Sequence, residues 1–140
     1  MIPLHRLQAQ HREMLDLLHS LTALIADPRA RRTQVTARLF EELAHKVSEH
    51  LALEDDTLYR ELLVHPDPEV QRTARDFLAS SHSLRKRLKD HSVFPCSPEA
   101  PSDDCEAFVA ESRELFDQLR NRIEIEEERL YPLVKKAIPG

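Results

Sequence analysis

Residues 50–59 read HLALEDDTLY, and residues 122–131 read RIEIEEERLY. Each stretch begins with a nitrogen-containing side chain and places a glutamate four positions later, at Glu54 in the first and Glu126 in the second. Side chains four positions apart lie on one face of an α-helix. The apolar residues of the flanking turns share this face, so the pattern predicts two helices that each turn a polar pair into the protein interior.

Four helical segments are predicted from the places where proline and polar residues interrupt the apolar periodicity. The chain has 140 residues and a single glycine, a composition typical of long helices joined by short loops. The predicted fold class is all-α, an up-down-up-down antiparallel four-helix bundle, with residues 1–140 forming one domain. The first two expected segments cover residues 3–26 and residues 33–64. The third begins at residue 68, after an N-cap at Asp67, and ends without a clear boundary near residues 92–98. The fourth begins after an N-cap at Ser102 or Asp103 and ends near residue 137.

The net charge and the hydropathy limit the classes of partner that the protein is expected to bind. The formal net charge is −5, which does not favour nucleic-acid binding because that function needs a basic face. No apolar run approaches the ~20 residues of a membrane span, and the first residues lack the apolar run of a signal peptide. We therefore expect a cytoplasmic protein that binds neither nucleic acid nor membranes.

The two cysteines, Cys96 and Cys105, flank the loop that joins the third and fourth segments. In a reducing cytosol such a pair is expected as free thiols. The alternative is a redox-switched disulfide that closes this loop. Their spacing does not match the CxxC pattern of zinc sites or thioredoxin-type motifs.

Helical periodicity at ~100° per residue predicts which polar side chains point inward. His11 lies on the apolar stripe of the first segment, and His50 and Glu54 lie on that of the second. Glu126 lies on the stripe of the fourth segment, with Arg122 about 60° to one side of it. In an up-down bundle the start of the first segment and the ends of the second and fourth share one end, so these side chains reach a similar height.

The third segment has a less regular pattern. Ser81 lies on its apolar stripe, whereas His82 lies about 120° from the middle of that stripe, at the flank. Along the bundle axis, His82 is still expected near the height of the other polar residues. His82 is therefore a candidate by height but not by helical face.

A carboxylate in an apolar core costs several kcal/mol unless a cation or a hydrogen-bond network compensates it. One buried histidine–glutamate pair is usually a hydrogen-bonded part of the core. Here, however, donors from several helices converge, and imidazole with carboxylate is a ligand set of iron, manganese and zinc. Dimetal carboxylate sites are built inside four-helix bundles. A metal site is the favoured interpretation, and a metal-free polar core is the alternative.

Over almost its whole length the sequence resembles the hemerythrin-like, or HHE cation-binding, family. The two acidic stretches that end in Leu-Tyr are the most specific features of the resemblance. It implies four antiparallel helices around a non-haem di-iron centre, with roles in O2 or NO binding, iron handling or redox sensing. The matching stretches are LQAQHREMLDLL (7–18), LAHKVSEHLALEDDTLYREL (43–62), SSHSLRKRL (80–88) and LRNRIEIEEERLYPLVKK (119–136).

The resemblance also implies a role for each candidate ligand, carried over by position. His11 and His50 would ligate one iron. Glu54 and Glu126 would bridge the two irons. His82 would ligate the second iron.

The sequence departs from the family pattern at two positions. The fifth expected histidine, four residues before Glu126, is Arg122, and a guanidinium has no lone pair with which to ligate a metal. A further histidine sometimes found one turn after His82 is Lys86. Three outcomes are open: one metal with Arg122 in the vacated space, two metals with Arg122 turned outward and water or a carboxylate such as Glu127 filling in, or no metal with Arg122 neutralising the buried glutamates.

Two functions from different classes follow. The first is a metal-binding sensor or carrier that uses one or two iron ions, or manganese or zinc instead, with O2 or NO as the diatomic ligand. The second is a metal-free interaction module with a protein partner, since the chain resembles, much more weakly, anti-sigma regulators of the sigma-D type. No pocket for organic chemistry is indicated, so an enzyme is not predicted, although peroxidase or oxidase turnover at an unsaturated di-iron site is left open. The oligomeric state is also open.

Overall fold

The computed structural model describes residues 2–91 and 93–139, so Met1, Ser92 and Gly140 lie outside the described residues. It confirms an all-α four-helix bundle without strands in the described ranges. None of the helices described is long and apolar enough to cross a membrane. Helix α1 covers Leu4–Ala26 and α3 covers Pro68–Asp90. Helices α2 and α4 each consist of three consecutive segments, of which the first is Gln34–Leu53 in α2 and Ser102–Ile125 in α4.

Helices α2 and α4 each contain a π-helical segment. In α2 this segment is Glu54–Tyr59, followed by a last α-helical turn at Arg60–Leu62. In α4 it is Glu126–Leu130, followed by Tyr131–Ala137. A π-helical turn widens the helix locally and is frequently found at functional sites. Both segments begin at the glutamate of the repeated sequence pattern.

Local capping explains where the helices begin. The Asp67 carboxylate accepts a hydrogen bond from the Glu69 backbone N–H at 2.9 Å, and Pro68 occupies the first turn of α3, so the predicted cap is confirmed. The predicted cap of the last helix is wrong. Ser102 is already helical, and Pro101 occupies the capping position without a side-chain hydrogen bond.

The interior contains two apolar clusters with a polar layer between them. One cluster lies toward the α3–α4 loop and includes Met14, Leu51 and Ile123. The other lies toward the opposite end and includes Leu7 and Leu58. The polar layer follows from the sequence, because α1, α2 and α4 each place buried polar residues between apolar residues of the same stripe.

Cys96 and Cys105 form a disulfide, and no described cysteine is free. The expectation of free thiols is therefore wrong. The loop between α3 and α4 turns back so that the two Cα atoms are 4.8 Å apart, within the range that a disulfide spans. Both cysteines are buried in the apolar cluster at that end of the bundle.

Candidate metal centre

Four ionisable side chains from three helices converge in the polar layer. Each contributes one nitrogen or oxygen atom to a group whose atoms all lie within 4.8 Å of one another. The two histidines are 2 % exposed and the two glutamates are fully buried, so the group is closed to bulk water. The members of this cluster are His11 from α1, His50 and Glu54 from α2, and Glu126 from α4.

The two imidazoles are held so that their Nε2 atoms face each other. The Nε2 atoms of His11 and His50 are 3.1 Å apart. On the outer side, His11 Nδ1 lies 2.7 Å from Glu127 Oε2, and His50 Nδ1 lies 2.8 Å from Gln10 Oε1. Because both outer partners are acceptors, each Nδ1 must carry its proton, and each Nε2 lone pair is left for the centre. This is the arrangement that orients histidines bound to metals.

Each buried carboxylate has one oxygen toward the histidines and the other toward Arg122. Glu126 Oε1 lies 2.7 Å from His11 Nε2, while Glu126 Oε2 accepts a hydrogen bond from Arg122 Nε at 3.0 Å. Glu54 Oε2 lies 3.2 Å from His50 Nε2. Glu54 Oε1 has no hydrogen-bond partner and lies 4.0 Å from Arg122 Nη2.

The Arg122 side chain points inward and is fixed from three directions. Besides the Glu126 contact, its Nη1 donates to the Phe77 carbonyl at 2.9 Å and its Nη2 donates to the Tyr59 hydroxyl at 2.8 Å. The guanidinium also lies over the Phe77 ring, 5.4 Å from the centroid. The outcome in which Arg122 turns outward is therefore not found. A permanent positive charge lies beside both buried carboxylates.

The pKa values of His50, Glu54 and Glu126 are shifted by burial and by the hydrogen bonds and charges within the cluster. Burial alone would lower the pKa of His50, but hydrogen bonds with Glu126 and Glu54 raise it to about 9. Burial raises the pKa of Glu54 to about 7, and the charge of Glu126 adds to the rise. Burial acts on Glu126 in the same direction, but hydrogen bonds with His11 and His50 outweigh it and keep the pKa of Glu126 well below its ordinary range. Without a cation, protons occupy this centre.

His82 does not reach the interior. Its side chain is exposed, whereas Ser81 is fully buried. The expectation that His82 joins the other ligands is wrong because adjacent helix positions point ~100° apart, and the inward direction belongs to Ser81. The described part of α3 therefore adds no histidine or carboxylate to the cluster.

Three buried side chains around the cluster were not predicted from the sequence. The Tyr131 hydroxyl lies 3.0 Å from Glu54 Oε2 and 3.2 Å from His11 Nε2, so it borders the cluster. Gln10 contacts His50 from outside the cluster, and Tyr59 contacts Arg122. The Leu-Tyr pair that ends each acidic stretch was a signal for the two tyrosines, but Gln10 carried none.

Comparison with known protein families agrees with this geometry. Residues 2–134 match the family model described as the hemerythrin HHE cation binding domain. The chain belongs to this family. No curated protein and no solved structure matches the chain significantly. As an HHE domain the chain is assigned to cation binding, and the His/Glu cluster is the place in its described residues where a metal could be held.

The donor atoms of the HHE domain fit a metal cation. Nitrogen and oxygen ligands bind such ions at about 2.0–2.2 Å, so the donors of a tetrahedral site are about 3.3–3.6 Å apart. The cluster atoms lie between 2.7 Å and 4.8 Å from one another, so small movements of the side chains, some apart and some together, bring them to this spacing.

Proposed function

We propose that the chain, acting as a single domain, binds one metal cation through His11, His50, Glu54 and Glu126. The observation that carries this proposal is the inward orientation of both Nε2 atoms, enforced by acceptors on both Nδ1 atoms. Without a cation the Nε2 atoms need protons to face the carboxylate oxygens, and a polar core built only for hydrogen bonding has no need to hold two such atoms 3.1 Å apart. A cation binds both nitrogens through their lone pairs and removes this conflict.

The proposed number of ions is one because the guanidinium of Arg122 takes the second position. In a centre with two ions, each bridging carboxylate directs one oxygen at each ion. Here Oε2 of Glu126 is bonded to Arg122, and Oε1 of Glu54 faces the same guanidinium. Because His82 is exposed, α3 provides no histidine ligand for a second ion. Arg122 thus supplies the positive charge that a second metal ion would bring.

Iron is the proposed metal, with manganese and zinc as the competing ions for this ligand set. A bound redox metal would supply an open coordination position for O2 or NO, and it could change its own oxidation state. The protein residues would orient the imidazoles, keep water out and donate a hydrogen bond from Tyr131. A sensor or carrier role fits these features better than an enzyme. A cytoplasmic location stays a prediction, and the Cys96–Cys105 disulfide counts against it because disulfides persist mainly in oxidising compartments.

Metal analysis of the purified protein tests the proposal. We expect about one iron, manganese or zinc ion per chain after expression in iron-supplemented medium, since four buried donors are enough to hold one ion, and iron keeps further positions for a small ligand. The double substitution His11→Ala/His50→Ala should abolish binding, while His19→Ala/His45→Ala, which removes two exposed histidines, should leave it unchanged. Fewer than ~0.2 ions per chain in the unchanged protein, with no metal absorption band after exposure to air, would exclude the cation.

Gln10→Leu is expected to weaken cation affinity by about 10–100-fold without removing any ligand. The substitution deletes the acceptor that holds the Nδ1 proton of His50, so the imidazole loses its preferred tautomer and orientation. Competition with a chelator of known affinity measures the change. Gln34→Leu, at an exposed position on α2, is the control and should leave the affinity unchanged. Equal affinities in the two variants would contradict the role of Gln10.

The metal-free interaction module is the second candidate function. The observation in its favour is the Arg122–Glu126 ion pair, which neutralises one buried carboxylate without any metal. A protein partner would then be recognised through the charged outer faces of the bundle. The inward-facing Nε2 atoms of His11 and His50 favour the cation, because an interaction module gains nothing from two imidazole nitrogens held 3.1 Å apart in its core.

A further inference from the structure

A surface groove between α3 and α4 reaches Arg122, which lies next to the buried cluster. Its volume is about 460 Å³, and Arg122 is one of its lining residues. Because Arg122 also contacts Glu126, the same guanidinium borders both the groove and the cluster. The lining combines the apolar ring of Phe77 with neutral polar side chains such as Ser83, and besides Arg122 it holds one carboxylate, Asp76, and one further guanidinium, Arg87, whose charges offset each other.

The side of the cluster that faces α3 has unused hydrogen-bonding capacity. Arg122 uses three of its five N–H groups, which leaves two free. The Ser81 hydroxyl is buried on α3 and has no hydrogen-bond partner. Ser81 lies one turn along α3 from Phe77, whose carbonyl accepts from Arg122. Free N–H donors on a residue that lines a groove are a feature of a binding site for a small ligand that accepts hydrogen bonds.

The charge balance of the cluster selects the type of ligand. A divalent cation and Arg122 together carry three positive charges, and Glu54 and Glu126 carry two negative charges, so one positive charge is left over. Glu127 lies behind His11 and is about one-third exposed, so water screens its charge. A buried net charge is unfavourable unless a counter-charge accompanies it. An anion that reaches Arg122 through the groove would provide this counter-charge.

We propose that the groove between α3 and α4 binds a small monoanion, of the size of a carboxylate such as formate, through the free N–H groups of Arg122. This inference rests on the proposed function, because the cation supplies the excess charge that strengthens anion binding. Arg122 then has two roles: it replaces a second metal ion and it selects anionic ligands. The metal-free protein should bind the same anion more weakly, through Arg122 alone.

Titration with sodium formate tests this site. The Arg122 Nε–H signal is followed by NMR in ¹⁵N-labelled protein, in zinc-loaded and metal-free forms, with sodium chloride keeping the ionic strength constant. We expect a saturable shift, tighter in the zinc-loaded form. Ser83→Trp, which fills the groove from an exposed position, should weaken binding about tenfold or more. Ser20→Trp is the matched control, because Ser20 lines a different surface groove, between α1 and α2. This variant should bind formate as tightly as the unchanged protein does.

The outcomes separate this proposal from the proposed function. No shift of the Arg122 signal in either form, or equal binding by the Ser83→Trp and Ser20→Trp proteins, overturns the anion site. Failure of the protein to hold zinc or iron overturns the proposed function instead. In that case the anion site is still supported if formate shifts the Arg122 signal of the metal-free protein and Ser83→Trp weakens this binding. Circular dichroism confirms that each variant is folded, and Ser80→Trp replaces Ser83→Trp if it is not.

Discussion

Replacing Arg122 with histidine is expected to raise the cation content from one ion per chain to two. The substitution removes the guanidinium that lies against Glu126 Oε2 and near Glu54 Oε1, and it introduces an imidazole beside both oxygens. One imidazole and two carboxylates are enough donors for an ion that keeps water on its remaining positions. Metal analysis after loading with excess Fe²⁺ or Zn²⁺ measures the change. Arg129→His, at an exposed position on the same helix, is the control and should leave one ion per chain.

The metal-free Arg122→His protein should be less stable by about 3–5 kcal/mol, the typical cost of removing one partner of a buried ion pair. The loss arises because Glu126 keeps its buried charge and because Tyr59 and the Phe77 carbonyl lose their donor. Denaturant unfolding with and without metal separates the two effects. A protein that loses stability and gains no ion would show that Arg122 acts only as a counter-ion, as the metal-free interaction module requires.

The inward positions of the cluster residues could be predicted because three of the four helices have clear apolar stripes. His11, His50, Glu54 and Glu126 replace apolar residues on those stripes, and all four are buried. Helix α3 is more polar overall, and there periodicity and family resemblance disagreed by one position. The structure agrees with periodicity, because it buries Ser81 and not the neighbouring histidine. A family position was thus a poorer guide than the helix geometry of this particular chain.

The parts of the site that could not be predicted depend on contacts between distant segments. Periodicity at 100° per residue assumes a regular α-helix, and it gives no indication of the π-helical turns that begin at Glu54 and Glu126. The partners of the two imidazoles are equally hidden. Glu127 contacts His11 across 116 residues, and Gln10 contacts His50 across 40. Such pairs follow from the rotation of one helix against another, which the sequence pattern constrains only loosely.

The metal-free protein is expected to lose stability as the pH rises from about 6.5 to 9. The folded protein holds the His50 proton more tightly than the unfolded chain does, since its pKa is about 9 when folded and 6.5 otherwise. This contribution is fully present below pH 6.5 and is lost as the pH passes through 9. At 1.36 kcal/mol for each pKa unit, it amounts to about 3 kcal/mol. The raised pKa of Glu54, about 7 against 4.5, acts in the same direction between pH 4.5 and 7.

A bound cation should remove this pH dependence, because it takes the place of the His50 proton and requires Glu54 to be ionised. Urea unfolding at pH 5.5, 7 and 9 should therefore show the cation-loaded and metal-free proteins diverging as the pH rises. His50→Gln should flatten the metal-free curve above pH 6.5, whereas His45→Gln, on the exposed side of the same helix, should leave it unchanged. A metal-free curve that rises between pH 6.5 and 9 would mean that the cluster does not hold the proton on His50, and the argument that a cation replaces protons there would fail.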